Sequence, residues 1–244
     1  MPLYIPTDAP LAIAVTAAIQ KGDVEMLNQL LAENPGLAKA RLGKDTPGKG
    51  SRTLLHILTD WPANFPSGAK TADILIKAGA DVNASFNGRH QETPLHWAAS
   101  SDDVAVLDVL VAAGADIEAK GAVIAGGTPM ADATAFAQWK AALRLLEYGA
   151  KTNLFEASTL GLIERILPYF EDTKPEQNEI NSALWGACHG GREAAAEFML
   201  NQGAEINWVP RWEELTPLDV AIRNGNENLV EWLKEKGAKR FGEM

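Results

Sequence analysis

Two short sequence marks recur along the 244-residue chain at a fixed distance from each other. One is a series of Gly-Ala dipeptides whose glycines are spaced by 35, 35, 54 and 34 residues: Gly79, Gly114, Gly149, Gly203 and Gly237. The other is Thr-Pro followed by Leu or Met, which begins 21 residues before the next Gly-Ala at Thr93, Thr128 and Thr216. A repeat of about 33 residues predicts stacked structural units, because one unit of that size cannot bury its apolar face alone.

Each repeat has the pattern of a helix pair. Thr-Pro begins a helix, since threonine caps the first turn and proline at the first helical position lacks only an N–H that would stay unpaired. A second helix carries the apolar residues between Val104 and Val111 and ends at Gly114, which suits a left-handed C-cap. The segment from Asp116 then starts an extended hairpin toward the next repeat.

The residues from Thr93 to Ala99 spell Thr-Pro-Leu-His-Trp-Ala-Ala, and this resembles the signature of ankyrin repeats. The segment from Ala113 to Ile117 is similar to the end of such a repeat. The resemblance covers nearly the whole chain, and in its compact form the chain looks like stand-alone bacterial ankyrin-repeat proteins. The resemblance implies an all-α ankyrin-repeat solenoid of about seven helix–turn–helix repeats joined by short β-hairpin loops.

The register predicts a single ankyrin-repeat domain over residues 1–244. An N-terminal cap is expected at about 10–40, repeats at about 53–92, 93–127, 128–151, 152–181 and 182–215, and a C-terminal repeat and cap at 216–244. The seven repeats begin near Ile13, Thr53, Thr93, Thr128, Thr152, Ser182 and Thr216. The terminal repeats carry polar outer faces, as the ends of a solenoid require, so we expect a complete protein.

Three departures interrupt the register. An insertion beginning at Trp61 separates the two helices of the second repeat. The hairpin after Gly149 nearly vanishes, because Thr152 follows only three residues later. The fifth repeat lacks its closing Gly-Ala. These irregular middle repeats are where we expect a local change in curvature and any target-specific surface.

Composition excludes several classes of function. The chain has 22 lysines and arginines against 32 aspartates and glutamates, a formal net charge of −10. Such a chain repels phosphate backbones, which argues against a nucleic-acid partner. No apolar run approaches the roughly 18 residues of a membrane span, and no signal peptide is visible. Its single cysteine, Cys188, cannot form a disulfide within the chain, so we predict a reducing compartment and a cytoplasmic protein. We also predict a monomer.

No catalytic motif is present: the sequence has no phosphate loop, no Gly-x-Ser-x-Gly, no Cys-x-x-Cys and no His-Glu-x-x-His. We therefore predict no enzymatic activity, no cofactor and no metal site. Cys188 and His189 are adjacent, but neighbouring helix residues point about 100° apart, and Cys188 is expected to be a packed thiol. His56 and His96 occupy the fourth position of their repeats, where the resemblance implies a bond to the backbone of the neighbouring repeat.

Candidate binding residues come from comparing equivalent positions. In the implied fold the fifth and eighth positions of the inner helices face a concave groove. The fifth positions Trp97, Asp132 and Glu156 would form a row, and an aromatic ring beside two carboxylates suits a cationic group. The alternative is that Trp97 covers a thin core and the acids are simply solvated. His189, at the eighth position, is also expected to face the groove.

A loop after Gly203 carries Trp208, Arg211 and Trp212. Tryptophan and arginine are enriched at the centres of protein interfaces, so this loop is a candidate contact surface. It is equally compatible with a packed cluster that anchors the loop.

Together these features predict a non-catalytic protein-binding or scaffold protein that uses its concave groove and hairpin loops. Its partner would be a protein, with a basic surface that complements the acidic chain. The alternative is a small-ligand or enzymatic pocket in the irregular middle repeats, around Trp97, Asp132, Glu156 and His189, where carboxylates and a histidine offer acid–base groups.

Overall fold

The computed structural model describes residues 3–44, 50–171 and 173–244. The chain divides into two compact units, Met1–Lys151 and Thr152–Met244. The division falls just after Gly149, at the place where the sequence shortens the hairpin between repeats. Over these described ranges the fold is all-α apart from three very short strands, which confirms the predicted class.

Paired helices build the first unit. Its helices are α1 (Pro10–Lys21), α2 (Val24–Glu33), α3 (Leu54–Thr59), α4 (Gly68–Lys77), α5 (Pro94–Ser100), α6 (Val104–Ala112), α7 (Pro129–Ala135) and α8 (Trp139–Glu147). The inner helices α1, α3, α5 and α7 pack in that order, and the outer helices α2, α4, α6 and α8 pack behind them. Apolar side chains from both layers fill the space between them, and the largest fully buried ones include Leu55, Leu58, Leu75, Leu95, Leu107, Leu110, Met130 and Leu145.

Local capping chemistry sets where these helices begin. Thr93 precedes Pro94 in extended backbone, and the Thr93 N–H donates to Nδ1 of His96 at 3.1 Å, which closes a capping box. The outer helix α6 begins after Asp103, whose carboxylate accepts from the Val106 N–H at 3.2 Å. The Thr-Pro mark therefore begins an inner helix, as the sequence predicted.

Among the residues that the structure describes, strands occur in the first unit alone. They are β1 (Tyr4–Ile5), β2 (Arg41–Leu42) and β3 (Arg52–Thr53). β1 pairs with β2 in parallel, and β2 pairs with β3 in antiparallel orientation. Over the rest of the described chain the segments between repeats are turns, with one isolated bridge between Ser51 and Asn87, and not paired strands.

The insertion in the second repeat lies between α3 and α4, as expected. Asn64 ties it to the next repeat: its backbone N–H donates to Asp103 at 3.2 Å and its side-chain amide donates to the Ser101 carbonyl at 3.0 Å. Trp61, the first residue of this insertion, is 85% exposed. The inserted residues are therefore anchored while the indole stays in solvent.

The second unit repeats the helix-pair plan. Its helices are α9 (Leu154–Leu160), α10 (Ile163–Ile166), α11 (Gln177–His189), α12 (Glu193–Asn201), α13 (Pro217–Arg223) and α14 (Glu227–Glu235). The inner helices α9, α11 and α13 pack side by side. Gly186 allows the close approach of α9, since a Cβ at this position would stand 2.6 Å from Oγ1 of Thr159 and 3.0 Å from the Phe155 ring. Among the described residues, no helix is both long and apolar enough to cross a membrane.

Candidate functional site

Buried histidines connect successive repeats of the first unit. Nε2 of His56 lies 3.1 Å from the backbone oxygen of Glu92, the residue just before Thr93, and Nδ1 lies 2.8 Å from the Thr53 hydroxyl. A carbonyl oxygen can only accept, so Nε2 carries the proton. His96 repeats the arrangement toward the Gly127 carbonyl at 3.4 Å. The predicted structural role of both histidines is confirmed.

Burial keeps these imidazoles neutral. Removal from water lowers the pKa of His56 to about 3, although its bond to the Glu92 carbonyl opposes the shift. Burial likewise lowers the pKa of His96. Both side chains therefore stay neutral at about pH 7, and each donates its Nε2–H to a backbone carbonyl just before the next capping threonine.

In the second unit an indole takes the place of this imidazole. Trp185 stands at the fourth position of its repeat, counted from Ser182, and is buried. Its Nε1–H donates to the backbone oxygen of Leu215, the residue just before Thr216, at 3.0 Å. The sequence analysis did not single out Trp185, although the register already placed it where His56 and His96 stand.

Glu156 also serves the fold. Its carboxylate accepts from the Asn153 N–H at 2.8 Å, while its own N–H donates to the Asn153 side chain at 2.8 Å. This capping box gives Glu156 the role that His96 has in α5, one position earlier than the register assigned to it. The carboxylate is buried and not solvated. That it lines a ligand groove stays a prediction.

A polar cluster in the first unit gathers around Glu92, a buried residue that the sequence analysis did not select. Oε2 of Glu92 accepts from the indole N–H of Trp97 at 3.0 Å, and Oε1 accepts from the Val123 N–H at 3.2 Å. The Trp97 ring also packs edge-on against His56, with ring centroids 4.8 Å apart. Glu92 thus links the inner helix α5 to the turn that follows the third repeat.

Asp132 is the most unusual member of this cluster. It is fully buried, and neither carboxylate oxygen has a hydrogen-bond donor in good geometry among the described residues. Its pKa is raised to about 8: burial is the main cause, the nearby Glu92 carboxylate also raises it, and the Ile124 amide offsets part of the shift. The expectation that this acid is merely solvated is wrong. Glu92 connects Trp97 and Asp132: it accepts from the Trp97 indole, and its carboxyl group acts on Asp132.

Aromatic side chains cluster on the inner side of the second unit. The Trp185 ring is stacked on His189 at 5.4 Å and on Phe155 at 6.4 Å. Trp212 packs edge-on against Trp185, with centroids 6.0 Å apart, and against Trp208 at 5.7 Å. The loop after Gly203 therefore folds onto α11, and we call Trp185, Trp208 and Trp212 the tryptophan cluster.

Exposure differs sharply within the tryptophan cluster. Trp185 is buried, Trp208 is half-buried, and Trp212 is 59% exposed. Arg211 is exposed beside it. Arg223 lies with its guanidinium 5.9 Å from the Trp185 ring and forms an ion pair with Glu213. The loop is thus both an anchored cluster and an exposed surface.

His189 is buried inside the second unit. Its Nδ1 accepts from the Asn224 amide at 3.1 Å, and the same amide donates to the His189 carbonyl at 2.6 Å. The adjacent Cys188 is also buried, and burial raises the pKa of its thiol. The thiol is therefore packed and protonated, as predicted. Among the described residues no group of three or more His, Cys, Asp or Glu side chains is placed to hold a metal ion.

Comparison with known families agrees with this architecture. A family model described as ankyrin repeats in three copies matches residues 11–121 and 154–240, which together exceed half of the chain. The chain belongs to the ankyrin-repeat family. In ankyrin-repeat terms, the histidine and tryptophan bonds described above are contacts between successive repeats.

The chain is similar to short stretches of much longer ankyrin-repeat proteins. It is 29% identical over 209 residues to an ankyrin repeat and KH domain-containing protein of Caenorhabditis briggsae, covering 80% of this chain and 8% of that protein. It is 26% identical over 251 residues to human Rabankyrin-5, covering 90% of this chain and 19% of that protein. The chain thus spans less than a fifth of these relatives, which are animal proteins. The resemblance to bacterial ankyrin-repeat proteins stays a prediction.

Proposed function

We propose that this ankyrin-repeat chain is a non-catalytic protein-binding module and that its second unit engages the partner through Trp212. Ankyrin repeats generally mediate contacts between proteins, which supports the class of function. The surface is our inference from one observation: Trp212 exposes more than half of its area while two other tryptophans hold it edge-on.

An exposed tryptophan whose ring is fixed by neighbouring side chains is well suited to a protein interface. Its ring offers a large apolar area, and its fixed position means that little side-chain freedom is lost on binding. Trp61 is a useful comparison for Trp212, because it is more exposed but lies on a different loop, at the start of the insertion. Residues flanking Trp212 add charged contacts: Arg211 is exposed, and Arg223 is paired with Glu213.

The charge of the chain suggests what kind of partner fits. With a formal net charge of −10, the chain attracts a protein with a basic surface and repels nucleic acid. Such steering speeds the encounter of the two proteins and weakens in salt. We propose that the chain acts as a monomer in the cytoplasm. The predicted small-ligand pocket around Trp97, Asp132, Glu156 and His189 stays a prediction.

The test compares two exposed tryptophans. Cross-linking and mass spectrometry on tagged protein identify the partner, and calorimetry with purified partner then measures affinity for wild type, W212A and W61A. We expect W212A to bind at least about 30-fold more weakly, as a central interface residue does, and W61A to bind like wild type. Unaltered thermal unfolding confirms that W212A is folded. Equal binding of W212A and wild type would reject this surface.

A further inference from the structure

The turn formed by Gly121–Gly127 lies over the polar cluster of the first unit. It is closed by its own backbone, with Ala122 N–H donating to the Gly127 carbonyl at 3.1 Å and Gly126 N–H donating to the Ala122 carbonyl at 3.0 Å. Within the turn, the Ala122 side chain is buried. Val123 and Ile124 form its tip, at 40% and 36% exposure, so the turn presents an apolar pair to solvent.

Side chains from the inner helices hold this turn in place. Glu92 accepts the Val123 N–H at 3.2 Å, and His96 lies within 3.4 Å of the Gly127 carbonyl. Asp132 approaches from α7, and the Ile124 amide acts on its carboxyl group. The position of the turn therefore depends on two neighbouring carboxyl groups and one imidazole, all of them buried.

Two carboxylates cannot both be ionised in so dry a place without strong repulsion. Both oxygens of Asp132 are buried, and among the described residues neither meets a donor in good geometry. The Glu92 carboxyl is within hydrogen-bonding reach of Asp132. One proton held between the two groups would remove the repulsion and would give Asp132 its missing hydrogen bond. Coupled carboxyl pairs of this kind titrate as a unit.

We propose that Glu92 and Asp132 share a single proton, and that this proton latches the Gly121–Gly127 turn onto the inner helices. When the proton leaves, the two anions repel each other. The Val123 amide then loses its contact with Glu92, the Ile124 amide loses its contact with Asp132, and the turn opens. The presentation of the apolar tip is then pH-dependent. This latch lies in the first unit and is independent of the surface proposed around Trp212.

Other charged groups around the pair do not replace the proton. His56 and His96 face Glu92 from α3 and α5, and both are neutral because burial lowers their pKa values. Asp116, at the start of the same hairpin, acts on His96. Arg41 and Arg52 act on His56, one repeat away. The shared proton is therefore the positive charge that offsets the repulsion between Glu92 and Asp132.

The direction of the pH effect follows from proton linkage. The latched turn holds a proton that the open turn, with ordinary carboxyl groups, releases above about pH 4. The opening constant of the turn should therefore rise about tenfold for each pH unit in that range. It should level off near pH 8, where Asp132 in the latched turn loses its proton.

Amide hydrogen exchange at Val123 and Ile124, measured by NMR on the full chain from about pH 6 to about pH 8 and corrected for intrinsic exchange rates, tests the latch. We expect the rising opening constant in wild type and a flat one in D132N, whose neutral amide needs no proton. In E92Q, Asp132 is still buried, so the rise should persist but should level off at a lower pH, because the Glu92 charge no longer acts on Asp132. D116N, an exposed acid in the same hairpin, should keep the wild-type dependence.

Two results would overturn the latch. One is a wild-type opening constant that does not change with pH. The other is an unchanged pH dependence in D132N. A D132N turn that is open at every pH would also reject it, because the carboxylate and not the proton would then hold the turn. If D132N fails to fold, E92Q still tests the shared proton, because a level-off at the same pH as in wild type would reject it.

Discussion

The indole N–H of Trp185 donates to the backbone oxygen of Leu215 at 3.0 Å, and it does so at the repeat position from which His56 reaches the Glu92 carbonyl. The two side chains differ in shape and chemistry, but both present one ring N–H to the residue just before the next capping threonine. A histidine and a tryptophan can therefore supply the same rigid N–H donor at this position.

Removing this donor should weaken the second unit. We expect W185F to lower the free energy of unfolding by about 1 to 3 kcal/mol, because the half-buried Leu215 carbonyl loses its donor. Denaturant unfolding followed by circular dichroism measures the effect. W232F is the matched control, since Trp232 contributes a ring contact with Lys236 on the last outer helix and not a bond between repeats. Equal destabilisation by the two variants would contradict the role of the indole N–H.

Protonation of His56 should destabilise the first unit in mild acid. Its pKa is about 3 in the folded chain and about 6.5 in an unfolded one, so the unfolded chain binds an additional proton between these values. Stability associated with His56 is complete above about pH 6.5 and is lost as the pH falls toward 3.

The variant H56Q tests this titration. Glutamine can cap the helix and donate to the Glu92 carbonyl, but it does not titrate. We expect its unfolding free energy to fall less steeply than that of wild type between about pH 6.5 and pH 5, by up to about 1.4 kcal/mol per pH unit. H90Q, on a half-exposed loop, should keep the wild-type slope. Identical slopes for H56Q and wild type would contradict the prediction.

Local sequence marks predicted the helices well and the polar cluster poorly. Thr-Pro marks fix the beginnings of α5, α7 and α13, since a cap and a proline act within one turn. Glu92 carries no such mark. Its burial depends on a turn some 30 residues later, where Val123 donates to it, and no short window contains that information.

The one-residue error in the repeat position assigned to Glu156 also had a local cause. The first helix of the fifth repeat is followed directly by Gly161 in the left-handed conformation, whereas α5 is followed by Ser101 before the chain turns at Asp102. The fifth repeat is therefore one residue shorter, and counting from Thr152 moved Glu156 out of the capping position. Trp185 was missed because the expected residue type there was histidine.

Close helix packing makes Gly186 sensitive to substitution. An added methyl group would meet the Thr159 hydroxyl at 2.6 Å and the Phe155 ring at 3.0 Å, both closer than ordinary contact. We expect G186A to cost about 1 to 3 kcal/mol despite the better helix propensity of alanine, because α9 and α11 must move apart. Thermal unfolding measures the change. G242A, where a methyl group meets open space, should be nearly neutral.

Asp219 ties the C-terminal residues to the last repeat, and this should be visible in its pH dependence. Its carboxylate is largely buried and accepts from the Phe241 N–H at 2.7 Å, from Arg240 Nε at 3.0 Å and from the Thr216 hydroxyl at 3.0 Å. Burial alone would raise the pKa of Asp219, but the Phe241 amide, Arg240 and Thr216 together lower it below its ordinary value.

The stability that Asp219 contributes is therefore present above about pH 4, the ordinary range of an aspartate, and is lost as the pH falls through its lower folded pKa. At neutral pH we expect D219N to lose about 1 to 3 kcal/mol, because an amide accepts fewer of these bonds than a carboxylate does. The Phe241 amide should exchange faster in D219N, while amides in α11 should not. The difference from wild type should shrink in acid, and an equally destabilised D219N at low and neutral pH would contradict the assigned charge.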